Sequence, residues 1–150
     1  MTGLAGKVVL IVGASAGIGA DTARVLAADG ARLMLVARSE GPLAAIAAEL
    51  TGAGHQVACM TGDIARAADV AAVVDATVDR FGRLDGAVNN AALGQAGPLD
   101  EVSEADFDRI MAVNVKGTWL CLRAEVAVME RQGAGSIVNV SSIGGLRGSA

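Results

Sequence analysis

Tyrosine is absent from this chain, and Trp119, Phe81 and Phe107 are its only large rings. Any core must then be built from Ala, Val, Leu and Ile, which suits helices packed tightly on a sheet. Histidine occurs once, as His55 beside Gly54. No Ser-His-Asp set and no His/Cys metal cluster can be assembled from it, and it reads as a solvated loop residue. The two cysteines, Cys59 and Cys121, form no Cys-x-x-Cys and sit in apolar surroundings. They read as reduced core residues of a cytosolic protein, with a disulfide as the lesser alternative. Lysine and arginine nowhere cluster and the net charge is −4, so there is no electrostatic footprint for nucleic acid or for an anionic membrane surface. No apolar run reaches the roughly 20 residues of a membrane span, and the N-terminal run ends at Gly13, too short for a signal peptide. A cytoplasmic location is expected. Pro42 and Pro98 are the only prolines, and both fall in predicted connections. With no repeat, low-complexity tail or linker, the 150 residues are expected to form one domain.

What is present is a regular alternation. Five short apolar runs, residues 7 to 12, 32 to 37, 56 to 60, 84 to 88 and 135 to 141, read as buried strands. Between them, Ile18 to Ala28, Leu43 to Leu50 and Ala67 to Val78 carry apolar residues at helical spacing, the first with Gly30 as its stop. Ser103 and Asp106 resemble a capping box opening a long helix that runs to about Arg131. Strands alternating with helices indicate an α/β fold, a doubly wound parallel sheet covered on both faces. The final Gly144-Gly145-Leu146-Arg147-Gly148-Ser149 reads as a loop leading into a further element.

The run Val12-Gly13-Ala14-Ser15-Ala16-Gly17-Ile18-Gly19 follows the first strand and opens the first helix. Gly13 can turn sharply, Gly17 lets backbone approach a pyrophosphate, and Gly19 lets the helix pack closely on the strand. Unpaired N–H groups at the helix start then face the anion. A glycine triplet by itself is weak in a chain with 20 glycines; the alternative is an Ala/Gly-biased loop.

Taken with Asp63-Ile64, Asn89-Asn90-Ala91-Ala92, Asn114 and Ile137-Val138-Asn139-Val140-Ser141-Ser142, the loop resembles the short-chain dehydrogenase/reductase family over the whole chain. The resemblance implies a Rossmann-type sheet of order 3-2-1-4-5, truncated before its last helices and strands. Two departures are modest. Val12 stands where the family usually has a threonine that braces the loop, and Ala92 replaces a glycine; both would soften cofactor affinity. The third is larger, because the family's Tyr-x-x-x-Lys is missing.

The resemblance assigns cofactor contacts to Gly13, Ser15, Gly17, Ile18, Gly19, Asp63, Ile64, Asn89 and Ala91. Asp63 would accept from the adenine amino group while the Ile64 backbone addresses the ring; capping the next helix is its structural alternative. Asn90 is as readily a brace of the sheet as a contact. Arg38 closes the second strand, where an NAD-specific site presents an acid to the ribose 2′-hydroxyl. Ala37 occupies the matching position. A guanidinium without that acid welcomes a 2′-phosphate, and one charge-assisted contact is worth about 1.5 to 3 kcal/mol. NADP is therefore expected, with NAD possible. Ser39 would add a donor, and Glu40 opposes only if it points inward. By resemblance, Asn114 holds a bent helix and a proton-relay water, and Ser142 hydrogen-bonds the substrate carbonyl or alcohol, with Ser141 the weaker candidate. Without the motif, the two serines would read as a turn.

The family's reaction exchanges a hydride with nicotinamide while a tyrosine, its pKa lowered by the lysine, exchanges the proton. Both residues would lie beyond Ala150, so the 150 residues alone are expected to be inactive and to leave an apolar fifth strand open. Homo-oligomers are expected of a full-length form, since the long helix belongs to the family's usual dimer interface, while the state of this chain is open. Two other readings stand beside an NADP-dependent oxidoreductase. One is a non-catalytic NADP-binding or interaction protein; the other is a different Rossmann enzyme, such as a methyltransferase using S-adenosylmethionine. Substrate identity is not encoded in these residues.

Overall fold

Five consecutive apolar residues, Val8–Val12, form β1 and are buried throughout. Such a strand needs cover on both faces, and it lies at the centre of the sheet. In the computed structural model, which describes residues 3–94 and 98–146, β2 (Arg32–Ala37), β3 (Val57–Thr61), β4 (Gly86–Asn89) and β5 (Ser136–Asn139) complete it. Every pairing is parallel, as the alternation predicts, and the order is β3-β2-β1-β4-β5, as the family resemblance implies.

Alternation along the central strands divides the core in two. Val9, Ile11, Leu33 and Leu35 pack with Ala23 and Ala27 of α1 (Gly17–Ala28) and with Leu43, Ala47 and Leu50 of α2 (Glu40–Gly52). Leu10, Val12, Met34 and Val36 point the other way, onto Val70, Val73 and Val74 of α3 (Ala67–Phe81) and Leu120, Cys121 and Val128 further on. Each fully buried Leu or Ile contributes about 1.5–3 kcal/mol. Alanines on the inner face of α1 bring that helix close to the sheet without large side chains.

The helices differ from the sequence expectation in three places. α2 starts at Glu40 rather than Leu43, and Pro42 sits inside its first turn rather than in a connection. A first-turn proline lacks only an N–H that has no intrahelical partner anyway. α3 extends past Val78 to Phe81, where Gly82 caps it at φ 81°. The long helix is not continuous: α4 (Glu104–Ile110) passes into a π-helical stretch, Met111–Gly117, before α5 (Thr118–Gln132). Ser103 does cap α4, accepting from the Asp106 N–H at 3.1 Å.

β5 is shorter than expected, and β4 starts later than expected because a side chain takes the bonds of the Leu84 peptide. The Gln132 amide takes both groups of the Leu84 peptide, accepting from its N–H at 2.9 Å and donating to its carbonyl at 2.7 Å. Cys121 is buried as expected, whereas Cys59 is exposed because it lies on edge strand β3; both are free thiols. β5 is the other edge of the described sheet and leaves Val138 exposed. The terminal loop expected after Ser142 begins with a 3-10 turn, Ile143–Gly145, while residues 147–150 lie outside the described residues.

Candidate functional site

β1 ends where the chain must leave the sheet, and neighbouring β2 fixes how it does so. The N–H groups of Gly13 and Ala14 both donate to the Val36 carbonyl, at 2.7 and 3.0 Å. Gly13 takes φ 84°, and a Cβ there would stand 2.7 Å from the Ala91 backbone nitrogen. A Cβ on Gly19 would fall on the Gly13 carbonyl oxygen. These two glycines thus let α1 and the loop after β4 close against β1. Gly17 differs: its φ is 51° and nothing lies within 4 Å of where its Cβ would be. Its open side faces outward at the start of α1.

That helix start is left open and free of negative charge. Ala16 at the cap supplies no side-chain hydrogen bond, and the first turn holds no acidic residue. Its backbone N–H groups are left for a ligand, and the helix dipole favours negative charge there. Ile18 is 63% exposed beside them, an apolar surface next to the anion position. The residues present therefore fit a pyrophosphate.

A cleft of about 140 Å³ opens at the carboxyl ends of β1, β2 and β3, lined by Gly13 and Ser15, Arg38 and Ser39, and Asp63 and Ile64. Val12, Ala37, Gly62, Ala91 and Val113 complete its walls. It runs from the switch point between β1 and β4, where Gly13 meets Ala91, along the carboxyl edge of the sheet, where doubly wound folds place ligands. Whole drug-sized ligands occupy roughly 300–1,000 Å³, so this cleft accommodates one end of a dinucleotide. Arg38 is exposed and makes no ion pair among the described residues. Glu40, the acid weighed against a phosphate, is an exposed residue at the head of α2 and does not line the cleft. Asp63 uses Oδ1 to accept from the Ala65 N–H at 3.0 Å, and its own N–H donates to Asp69 Oδ2 at 3.1 Å. It shapes the turn before α3, whose cap position is Arg66.

The two asparagines at the end of β4, Asn89 within it and Asn90 just past it, divide their work by strand alternation. Asn90 Nδ2 donates to the Gly13 carbonyl at 3.1 Å, bracing the glycine loop. Asn89 turns to the opposite face, where its Nδ2 donates to Glu125 Oε2 and to Asn139 Oδ1, each at 3.0 Å. The side chain of Asn89 is thus committed away from the cleft, while Ala91 lines it. Asn114 sits in the π-helical stretch and grips Leu93 of the loop that follows. Ser142 is exposed beyond β5, its Oγ accepting from the Gly144 N–H at 3.1 Å, and it lies outside the cleft.

Three further residues shape the region without a motif to mark them. Val113 forms a cleft wall. Gly117 lets the end of the π-helical stretch meet Ile64, whose Cδ1 would be 2.8 Å from an added Cβ. Glu125 is fully buried on α5, and burial pushes its carboxyl up to about 7 despite the hydrogen bond from Asn89. Gly117, Cys121, Glu125 and Val128 fall at i, i+4, i+8 and i+11, so a glutamate occupying an apolar stripe was the available signal.

Levodione reductase of Leifsonia aquatica is 43% identical over 145 residues, covering 95% of this chain and 54% of its own. Among solved structures, a metagenomic short-chain oxidoreductase in complex with NADP superposes with TM-score 0.91 at 38% identity, covering 98% of this chain and 67% of its own. NAD+-bound xylitol dehydrogenase superposes with TM-score 0.95 at 32% identity, covering 99% and 57%. The chain spans about half the length of the curated relatives it matches. A family model described as short chain dehydrogenase matches residues 7–150, so the glycine loop and the motifs that follow it place this chain in the short-chain dehydrogenase family.

Proposed function

We propose that this chain is the cofactor-binding part of an NADP(H)-dependent oxidoreductase that interconverts a carbonyl and an alcohol. The observation that carries the cofactor choice is the end of β2: Ala37, Arg38 and Ser39 line one cleft with Gly13, Ser15 and Asp63, and no acid stands at the Ala37 position. A planar guanidinium and a hydroxyl suit a 2′-phosphate, and the carboxylate that an NAD site presents at the end of β2 is missing. The solved relatives include one in complex with NADP and one bound to NAD+, so the family itself leaves the choice to such residues.

The chain's own groups then take distinct parts. The amino end of α1, opened by Gly17, would hold the pyrophosphate. Asp63, Ile64 and Ala91 would border the adenosine, and Arg38 would meet the 2′-phosphate. When bound, the nicotinamide supplies or accepts the hydride. Ser142 would hydrogen-bond the substrate oxygen, and Asn114 would hold the helix and loop on the approach to it. No tyrosine is available among the 150 residues to exchange the proton. Losing a general acid or base costs about a hundred- to ten-thousandfold in rate, so residues 1–150 alone should bind cofactor without turnover.

The test is NADPH oxidation by the full-length protein against a panel of ketones and diketones, beside direct NADPH binding. Oxidation with at least one carbonyl class is expected. Tight NADPH binding with no oxidation across the panel would instead favour a non-catalytic NADP-binding protein.

A further inference from the structure

We propose that Glu125 is a positioning residue for the cofactor cleft, acting through Asn89 to hold the carboxyl ends of β4 and β5 together. This rests on the cofactor reading above. Asn89 and Asn139 are register partners on adjacent strands, and one amide group, Asn89 Nδ2, bridges Glu125 Oε2 and Asn139 Oδ1 at 3.0 Å each. The next residues along β4 reach the cleft: Asn90 holds the Gly13 carbonyl and Ala91 abuts Gly13 itself. Beyond Asn139 the chain continues to Ser141 and Ser142. A shift of the Asn89 side chain would therefore move the glycine loop on one side and the serines on the other.

Burial sets the form in which Glu125 does this. The side chain has no exposure and no cation partner among the described residues. Glu125 Oε1 and Asn89 Oδ1 are buried acceptors without a hydrogen-bond partner. An ionised carboxylate would aggravate that surplus of acceptors, whereas a carboxylic acid brings the one donor the cluster lacks. Of the groups around it, Cys121, one turn earlier on α5, is titratable, and its thiol is pushed up to about 12 by burial and then by Glu125. β4 and β5 contribute the neutral Asn89 and Asn139, and α3, which packs against α5, buries the uncharged Val70, Val73, Val74 and Thr77.

The experiment compares wild type with Glu125→Gln, Glu125→Leu and Asn139→Ala in the full-length protein. Its readouts are the NADPH Kd between pH 5.5 and 8.5 and the infrared carboxylic-acid stretch at pH 6. Glutamine keeps a donor and an acceptor, so E125Q should stay within about twofold of wild type at pH 6, while E125L weakens NADPH about tenfold. N139A, which opens no core cavity, should weaken it about threefold. The wild-type Kd should rise relative to E125Q above pH 7, and the acid band should vanish in E125Q. Folded E125L or N139A binding NADPH as wild type does, or E125Q as damaging as E125L, would overturn the proposal; if E125L does not fold, N139A decides. Wild type binding neither NADPH nor NADH would sink the cofactor reading itself, and this role with it.

Discussion

Asn114 and Leu93 exchange two hydrogen bonds of 2.8 Å, the side-chain oxygen accepting from the Leu93 N–H and the side-chain nitrogen donating to the Leu93 carbonyl. The amide thus acts as a strand partner for the loop after β4, and the π-helical turn is what presents it. Thr118 Oγ takes up the Asn114 carbonyl at 2.9 Å within the widened turn. Asn114→Ala should cost roughly 2 kcal/mol, two hydrogen bonds at about 1 kcal/mol each, and lower Tm by roughly 4–8 °C. Asn114→Asp keeps the acceptor and loses the donor, so thermal unfolding should place it between the two.

The glycine loop offers an internally controlled pair. Gly19→Ala puts a methyl on the Gly13 carbonyl and 2.8 Å from Asn90 Nδ2, so it should disrupt both the fold of the loop and cofactor binding. Gly17→Ala meets open space and costs only the left-handed backbone, about 1–2 kcal/mol. Urea unfolding should therefore rank G19A well below G17A in stability, while fluorescence titration should find both impaired for NADPH.

Thiol chemistry separates the two cysteines. Cys59 is exposed on its edge strand and should react with a disulfide reagent in the native protein. Cys121, buried and with its thiol pushed up to about 12, should react only as the protein unfolds. Equal native rates for both would contradict the packing of α5.

The strands, the glycine turn and the cap at Ser103 are legible in the sequence because each rests on local chemistry: apolar runs, residues without Cβ, a hydroxyl before a helix; the order of the strands comes only through the family resemblance. The end of β2 is legible for the same reason, since Arg38 and Ala37 are neighbours in sequence and in the cleft. What escapes is long-range. The Asn114–Leu93 exchange spans 21 residues, and the Gln132–Leu84 clamp that shortens β4 spans 48. Neither has a local signature. Asn89 is a candidate through its place at the carboxyl end of β4 and the family motif, and no local pattern shows that strand alternation turns its side chain to Glu125, a partner 36 residues away. The early start of α2 was obscured by Pro42, which reads as a breaker unless its place in the first turn is known.

Glu125 gives the stability curve a definite slope. Its carboxyl rises from an ordinary 4.5 to about 7 on folding, so the folded state holds a proton that the unfolded state has released between those values. Its contribution is fully present below pH 4.5 and is lost as pH rises through about 7, a change on the order of 3 kcal/mol. Glu125→Gln should flatten that part of the curve, measured as urea midpoints from pH 4.5 to 8. An unchanged slope would mean the carboxyl is ionised in the folded protein.

The central claim is that the cleft at the ends of β1, β2 and β3 selects NADP(H) through Arg38. Titrating wild type and Arg38→Ala side by side with NADPH and NADH tests it most directly. The account predicts NADPH tighter than NADH in wild type by about ten- to hundredfold, and a loss of about that factor in R38A for NADPH alone. NADH binding as tightly as NADPH in wild type, or R38A weakening both cofactors equally, would contradict it.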